Sequence, residues 1–191
     1  NQPSPSQNRI GLLFELAAKM NDLDTGSKDR YGIFHAYNEK LKTADDAKKE
    51  WLFIKQTFMM LEEWYEDRTL YHIIGFLIYC GVDIAYICKL SQHATKSTFE
   101  YKLRKEVFAY AFGNEDLGAL TSDELHSYIS EYLKDLEYGR DSAKIRLLLL
   151  LFNLATLLDN PRSNLRFQFD NFKSDEWDIE HVRSIASNRP E

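Results

Sequence analysis

The sequence predicts an all-α protein: a multi-helix bundle of about eight helices followed by a short extended C-terminal tail. Three observations carry that prediction. Proline occurs only at positions 3, 5, 161 and 190. It removes an amide donor and clashes with the preceding turn, so a long stretch without it suits helices. Apolar residues recur at spacings of three and four, which is one face of a helix. Start and stop signals sit between these periodic runs.

The elements follow in chain order. Ile10, Leu13, Phe14 and Ala17 mark a helix near 8–20. Another is expected near 31–42. Trp51, Ile54, Phe58, Leu61 and Tyr65 mark one face of a long helix over 45–66. Leu70, Ile73, Ile74, Leu77 and Ile78 mark 69–80, where Gly81 can end the helix by adopting a left-handed conformation. A short helix is expected near 83–91. Ser97-x-x-Glu100 reads as a capping box before a helix over 97–112, with Phe99, Leu103, Val107 and Tyr110 on one face and Gly113 as its stop. Thr121-x-x-Glu124 opens a helix over 122–136 in the same way. The stretch 142–159 holds Leu147 to Leu151, Phe152, Leu154, Leu157 and Leu158, apolar nearly all round, and is expected to be the buried central helix. After Pro161 the pattern changes. Arg166 to Asp170 alternates as a short extended piece, Ser174-Asp175-Glu176 reads as a turn, and Trp177, Ile179 and His181 alternate as a strand.

Composition narrows the function classes. A hydrophobic share of 44% with 28% charged residues suits a globular chain and argues against extensive disorder. Aromatics at 14% are numerous enough that many must lie in the core. The net charge of -6 argues against a dominant nucleic-acid surface on these residues. Cys80 and Cys88 are the only cysteines and form neither a CxxC pair nor a disulfide framework, so they read as reduced core thiols of a cytoplasmic protein. Residues 1–7 are polar and read as a linker or boundary segment rather than a signal peptide. The run Leu147 to Phe152 is too short to cross a membrane.

Several segments together resemble the GmrSD-type restriction endonuclease family. They are Leu61-Glu62-Glu63-Trp64-Tyr65-Glu66-Asp67, Leu70 through Ile78, Leu149-Leu150-Leu151-Phe152-Asn153, Ser163 through Asp170, and Trp177-Asp178-Ile179-Glu180-His181. The resemblance runs over most of the chain from about Arg9, and the order of the segments is more specific than any one of them. Members join an N-terminal ParB-like nucleotide-binding domain, through a helical region, to a C-terminal His-Me finger (HNH) nuclease domain. The resemblance implies a helical domain over 8–160, and over 161–191 a connector and the start of the nuclease domain. It implies the helical middle of a modification-dependent, type IV-like enzyme of phage defence, inactive as a fragment because the chain stops ten residues after His181. The ParB-like signature is absent from this chain, and Arg183-Ser184-Ile185-Ala186 departs from the family's usual continuation after the histidine.

What the resemblance implies for chemistry is specific. His181 is the general base that activates water against a phosphodiester, a task that suits imidazole because its pKa lies near working pH. Glu180 helps hold a divalent metal, Mg²⁺ or Mn²⁺, and Asp178 is a supporting carboxylate. The intact protein is expected to need that metal and a nucleotide, and this stretch alone no cofactor. DNA and the neighbouring domains of the same chain are the expected partners, with no membrane. The same three residues also read as solvated polar groups of a terminus. Arg162, Arg166 and Lys173 form a basic set that suits phosphate contact or, equally, a loop of solvated charges.

Other candidates have plainer readings. His72, at the start of an apolar face, reads as a hydrogen-bonded structural histidine rather than a catalytic one. His35, His93 and His126 lack partners at ligand spacing and read as surface or capping residues. Glu62, Glu63, Glu66 and Asp67 read as the solvated end of a helix rather than a metal site. Trp51, Phe53, Phe58, Trp64 and Tyr65 could stack nucleobases, but at helical spacing they read as core. A non-enzymatic helical scaffold for protein–protein contact is the alternative to the nuclease reading.

Overall fold

The computed structural model describes residues 9–23 and 31–174. Among the described residues the regular structure is helical and no strand occurs, so the chain has the predicted all-α class. The helices are α1 (Arg9–Met20), α2 (Gly32–Lys40), α3 (Ala44–Glu66), α4 (Arg68–Tyr79), α5 (Ile84–Ser91), α6 (Lys96–Phe112), α7 (Ser122–Lys134), α8 (Ser142–Asp159) and α9 (Phe169–Ser174), with a 3-10 turn at Glu115–Ala119. The first eight match the eight expected helices to within two residues at each end. The chain forms two compact units, Asn1–Thr121 and Ser122–Glu191.

The first unit is organised by its caps. Thr43 and Asp46 form a capping box at the start of α3, each side chain taking the other residue's backbone amide at 3.1 and 3.0 Å. Between α3 and α4 stands a single residue, Asp67. Its amide closes α3 on the Glu63 carbonyl at 2.8 Å, and its Oδ1 accepts the Thr69 and Leu70 amides at 2.9 and 3.0 Å to open α4. Its Oδ2 takes the Lys96 ammonium from the first turn of α6 at 2.7 Å. Helix α4 ends in a Schellman motif: Val82 N–H donates to the Leu77 carbonyl and Gly81 N–H to the Ile78 carbonyl, both at 3.0 Å, around a Gly81 φ of +93°. Gly113, at φ +71°, ends α6 in the left-handed conformation that its sequence position predicts. The cap of α6 is Thr95 rather than Ser97. The helix begins at Lys96, so the Thr98 amide reaches the Thr95 hydroxyl at 3.3 Å, and Ser97 already lies inside the first turn.

Packing follows from these turns. Helix α4 packs against α3 and α6, and α1 against α2, α3 and α5. Leu70, Phe76 and Leu77 of α4, Ile87 of α5, Leu103 of α6 and Leu117 of the 3-10 turn are fully buried. Trp64 of α3 stacks on Phe99 of α6 with centroids 5.1 Å apart. Cys88 is buried and Cys80 half-buried, both as free thiols. Burial pushes the Cys88 thiol up to about 12, with help from the Asp83 carboxylate, and Cys80 up to about 11.

Two expectations about burial are corrected. The buried face of α3 is Glu50, Ile54, Thr57 and Trp64, not the stripe through Trp51, Phe58 and Tyr65, which are 61%, 48% and 57% exposed. Polar residues occupy the inner face because they have partners there. Glu50 pairs with the Lys40 ammonium and accepts from Asn21 Nδ2 at 3.3 Å, and the Thr57 hydroxyl donates to the Phe53 carbonyl at 3.0 Å. The second correction concerns α8, which is not the most buried helix. Only Leu150 and Leu154 of α8 are buried, four residues apart on one face, while Phe152 is 68% exposed. Helix α4, with six buried residues, has the place expected of α8.

In the second unit, α7 has no buried residue. The turn before α8 is held by Arg140, which pairs with Asp141 at 2.7 Å and Glu137 at 3.1 Å and donates to the Asp135 carbonyl at 2.6 Å. Lys144 of α8 lies 4.9 Å from the Tyr132 ring centre of α7. The extended piece expected at Arg166–Asp170 is only half present. Residues 163–168 have no regular structure, and α9 begins at Phe169. The alternating Phe167 and Phe169 meet each other at 5.0 Å, and Phe167 meets the buried Phe172 at 5.4 Å, so ring packing takes the place of strand pairing. The strand expected over Trp177 to His181 lies outside the described residues.

Two predictions follow from burial and from the Asp67 cap. Phe76→Ala should cost about 3–5 kcal/mol by denaturant unfolding, whereas Phe152→Ala should stay within about 0.5 kcal/mol; equal costs would contradict the assigned core. Asp67→Ala should cost about 1–2 kcal/mol at neutral pH. Burial works to raise the Asp67 carboxyl, but the Lys96 ammonium and the Leu70 and Thr69 amides outweigh it and hold it below the usual range. A depressed carboxylate stabilises above its unfolded pKa of about 3.9 and loses that contribution as pH falls through the folded value. The gap between wild type and Asp67→Ala should therefore be full at pH 6 and close in acid; a gap unchanged near pH 2 would exclude the charged cap.

Candidate functional site

The residues expected to carry catalysis, Asp178, Glu180 and His181, lie outside the described residues. The described part of the expected site is the basic set of the second unit. Arg162 is exposed in the turn after α8, where its amide is held by Asn160 Oδ1 at 3.1 Å. Arg166 is half-buried in the irregular segment, and Lys173 is exposed in the last turn of α9.

The structure spreads these residues rather than clustering them. Phe172 packs under the guanidinium of Arg146, 5.2 Å from carbon to ring centre, one turn into α8. The connector that leaves the C-terminal end of α8 therefore returns to its N-terminal end. At 1.5 Å per residue that path covers about 20 Å of helix. Arg162 stands at one end of the strip and Lys173 at the other, with Asp159 and Asp170 interspersed. Arg146 joins the set, and sequence reasoning missed it. Its Nε is buried and has no hydrogen-bond partner among the described residues. Only the return of the connector places it there, and no spacing in the sequence announces that return.

Elsewhere, titratable side chains serve the fold. His72 is fully buried, and its Nδ1 lies 2.7 Å from the Arg68 carbonyl, one turn back in α4. A carbonyl only accepts, so Nδ1 carries the proton, which is the structural role its sequence position predicts. His35, His93 and His126 are exposed, and His93 holds a positive φ of 56° just beyond α5. In the acid cluster, Asp67 is the α4 cap, while Glu62, Glu63 and Glu66 are exposed along α3. Among the described residues no group of three or more His, Cys, Asp or Glu side chains is placed to hold a metal ion. The aromatic set divides: Trp64 is core, Phe53 half-buried, and Trp51, Phe58 and Tyr65 face outward.

The buried carboxylate that sequence reasoning overlooked is Glu50. It sits among Lys40 of α2, Asn21 after α1, and Tyr37, whose hydroxyl donates to the Phe14 carbonyl at 3.0 Å. Burial and then the Glu50 charge push the Tyr37 hydroxyl well above its ordinary range, so it stays a neutral donor. This network fastens α1, α2 and α3 together and offers no open face to a substrate. A glutamate four residues before a buried isoleucine was the one available signal.

Among the described residues, no helix is long and apolar enough to cross a membrane. No family model, no curated protein and no solved structure matches the chain.

Proposed function

We propose that this chain is the helical middle part of a modification-dependent DNA restriction endonuclease of the GmrSD type, coupling a nucleotide-binding domain to a metal-dependent nuclease domain in a cytoplasmic protein. The observation that supports the reading most is the order of the resembling segments and where they fall in the fold. The first runs along the end of α3 into the Asp67 cap, the second is the buried α4, the third lies in α8, and the fourth is the connector that leads toward Trp177.

In this reading the helices of the second unit hold the connector, and Arg162, Arg166 and Lys173 meet DNA phosphates. His181 takes the proton from the attacking water, and Asp178 supports it. Glu180 would help hold a divalent metal, which would supply charge stabilisation of the leaving oxygen. One carboxylate falls short of the oxygen ligands such an ion takes, so further ligands would be required. The second reading, a non-enzymatic helical scaffold, is favoured by one observation: the outward-facing apolar stripe of α3.

The test uses the intact protein. His181→Ala should abolish cutting of modified DNA in Mg²⁺ while leaving the circular dichroism spectrum unchanged. The 191-residue chain alone should not cut, and its net charge of -6 should keep its DNA binding weak. In the intact protein, Arg162→Ala should lower the slope of log affinity against log salt by about one phosphate contact. If His181→Ala still cuts at the wild-type rate, the nuclease reading is wrong and the scaffold reading replaces it.

A further inference from the structure

We infer that the exposed stripe of α3 is the seam of a homodimer, in which two copies of the helix pack antiparallel about a two-fold axis through Phe58. The inference stands apart from the nuclease reading and rests on the geometry and charge of one helix.

Trp51, Phe58 and Tyr65 are exposed and spaced by seven residues, so they stand in one line two turns apart. Leu52 and Met59, also exposed, lie farther round the helix on one side. Along that side run four charges in a fixed order: Lys48 and Lys55 before Phe58, Glu62 and Glu66 after it, all exposed. The basic half of the stripe and its acidic half are therefore arranged about Phe58 as a centre. Monomeric proteins seldom leave so continuous a row of large apolar side chains in water.

This order selects both the occupant and its direction. Two parallel copies, related by an axis along the seam, would put their charged flanks on opposite sides, so that no lysine of one copy would meet a glutamate of the other. Two antiparallel copies related by a two-fold axis at Phe58 set Trp51 against the second copy's Tyr65. Lys55 then comes opposite Glu62, and Lys48 opposite Glu66, each within about one helical turn. A two-fold axis perpendicular to both helices keeps the charged flank of one copy on the same side as that of the other, so all four pairs form together. Phe58 meets itself at the axis. The surface is thus complementary to itself in shape and sign, which is what an isologous interface requires. A single helix face about 30 Å long is small for a specific interface, so the dimer should be weak, with Kd in the micromolar range or above. Its charged part should weaken with added salt.

Sedimentation equilibrium on the purified chain, from about 1 µM to about 1 mM, tests this. Wild type should dimerise, and Phe58→Glu, which sets two carboxylates face to face at the axis, should raise Kd by more than about tenfold. Lys55→Glu and Glu62→Lys should each weaken self-association, whereas an equimolar mixture of those two variants should form a heterodimer of at least wild-type affinity, because every pair across the axis is then opposite in sign. All three positions are exposed, and circular dichroism should show each variant folded. Wild type that stays monomeric across this range overturns the inference. So does a mixture that associates no better than its components, or a dimer that Phe58→Glu leaves intact while Phe152→Glu, on the exposed face of α8, disrupts it.

Discussion

Asp67 is the constraint on which the first unit depends. One residue ends α3 with its amide, and with its carboxylate starts α4 and holds the first turn of α6 through Lys96. A helix left uncapped exposes four amides at its start, and α4 starts one residue after α3 stops, so these groups have no loop to turn to. With Asp67 in place the chain bends where the two helices meet, and α4 runs back against α3. That course brings Phe76, Leu77 and His72 out of water and sets Trp64 against Phe99. The chain continues from α4 through further stops: the Schellman turn at Gly81 sends it into α5, and Thr95 and Gly113 limit α6.

The positions of the helices were legible because local signals set them. Proline placement, glycine stops and three-four spacing act within a few residues of the structure they cause. Which face turns inward was less legible, because it depends on partners distant in sequence. Apolar spacing alone could not foresee that Glu50 would find Lys40 and Asn21, so the buried face of α3 lies to one side of the most aromatic line. The leucine-rich α8 shows the opposite failure. Its apolar residues surround the helix, but the second unit buries only the side holding Leu150 and Leu154. The alternation through Phe167 and Phe169 suits a strand, yet a strand needs a neighbour to share its hydrogen bonds, and three phenylalanine rings pack together instead.

The candidate site was legible in its residue types and less so in its geometry. A basic set after α8 is visible in the sequence, but its extent is a tertiary matter. The connector returns along α8 and draws in Arg146, so a cluster becomes a strip about 20 Å long. The two units thus present different surfaces. The first carries the large core and the self-complementary stripe of α3, and the second carries basic side chains on a lightly buried frame.

The claim that most of this rests on is that α4, and not the leucine-rich α8, is the centre of the stable core. Native-state hydrogen exchange read by mass spectrometry tests it most directly, because protection reports how costly it is to open each helix. Peptides from Arg68–Tyr79 should exchange slowest, at the rate of global unfolding, while those from Ser142–Asp159 exchange by smaller local openings. Protection of α8 equal to or greater than that of α4 would contradict the account.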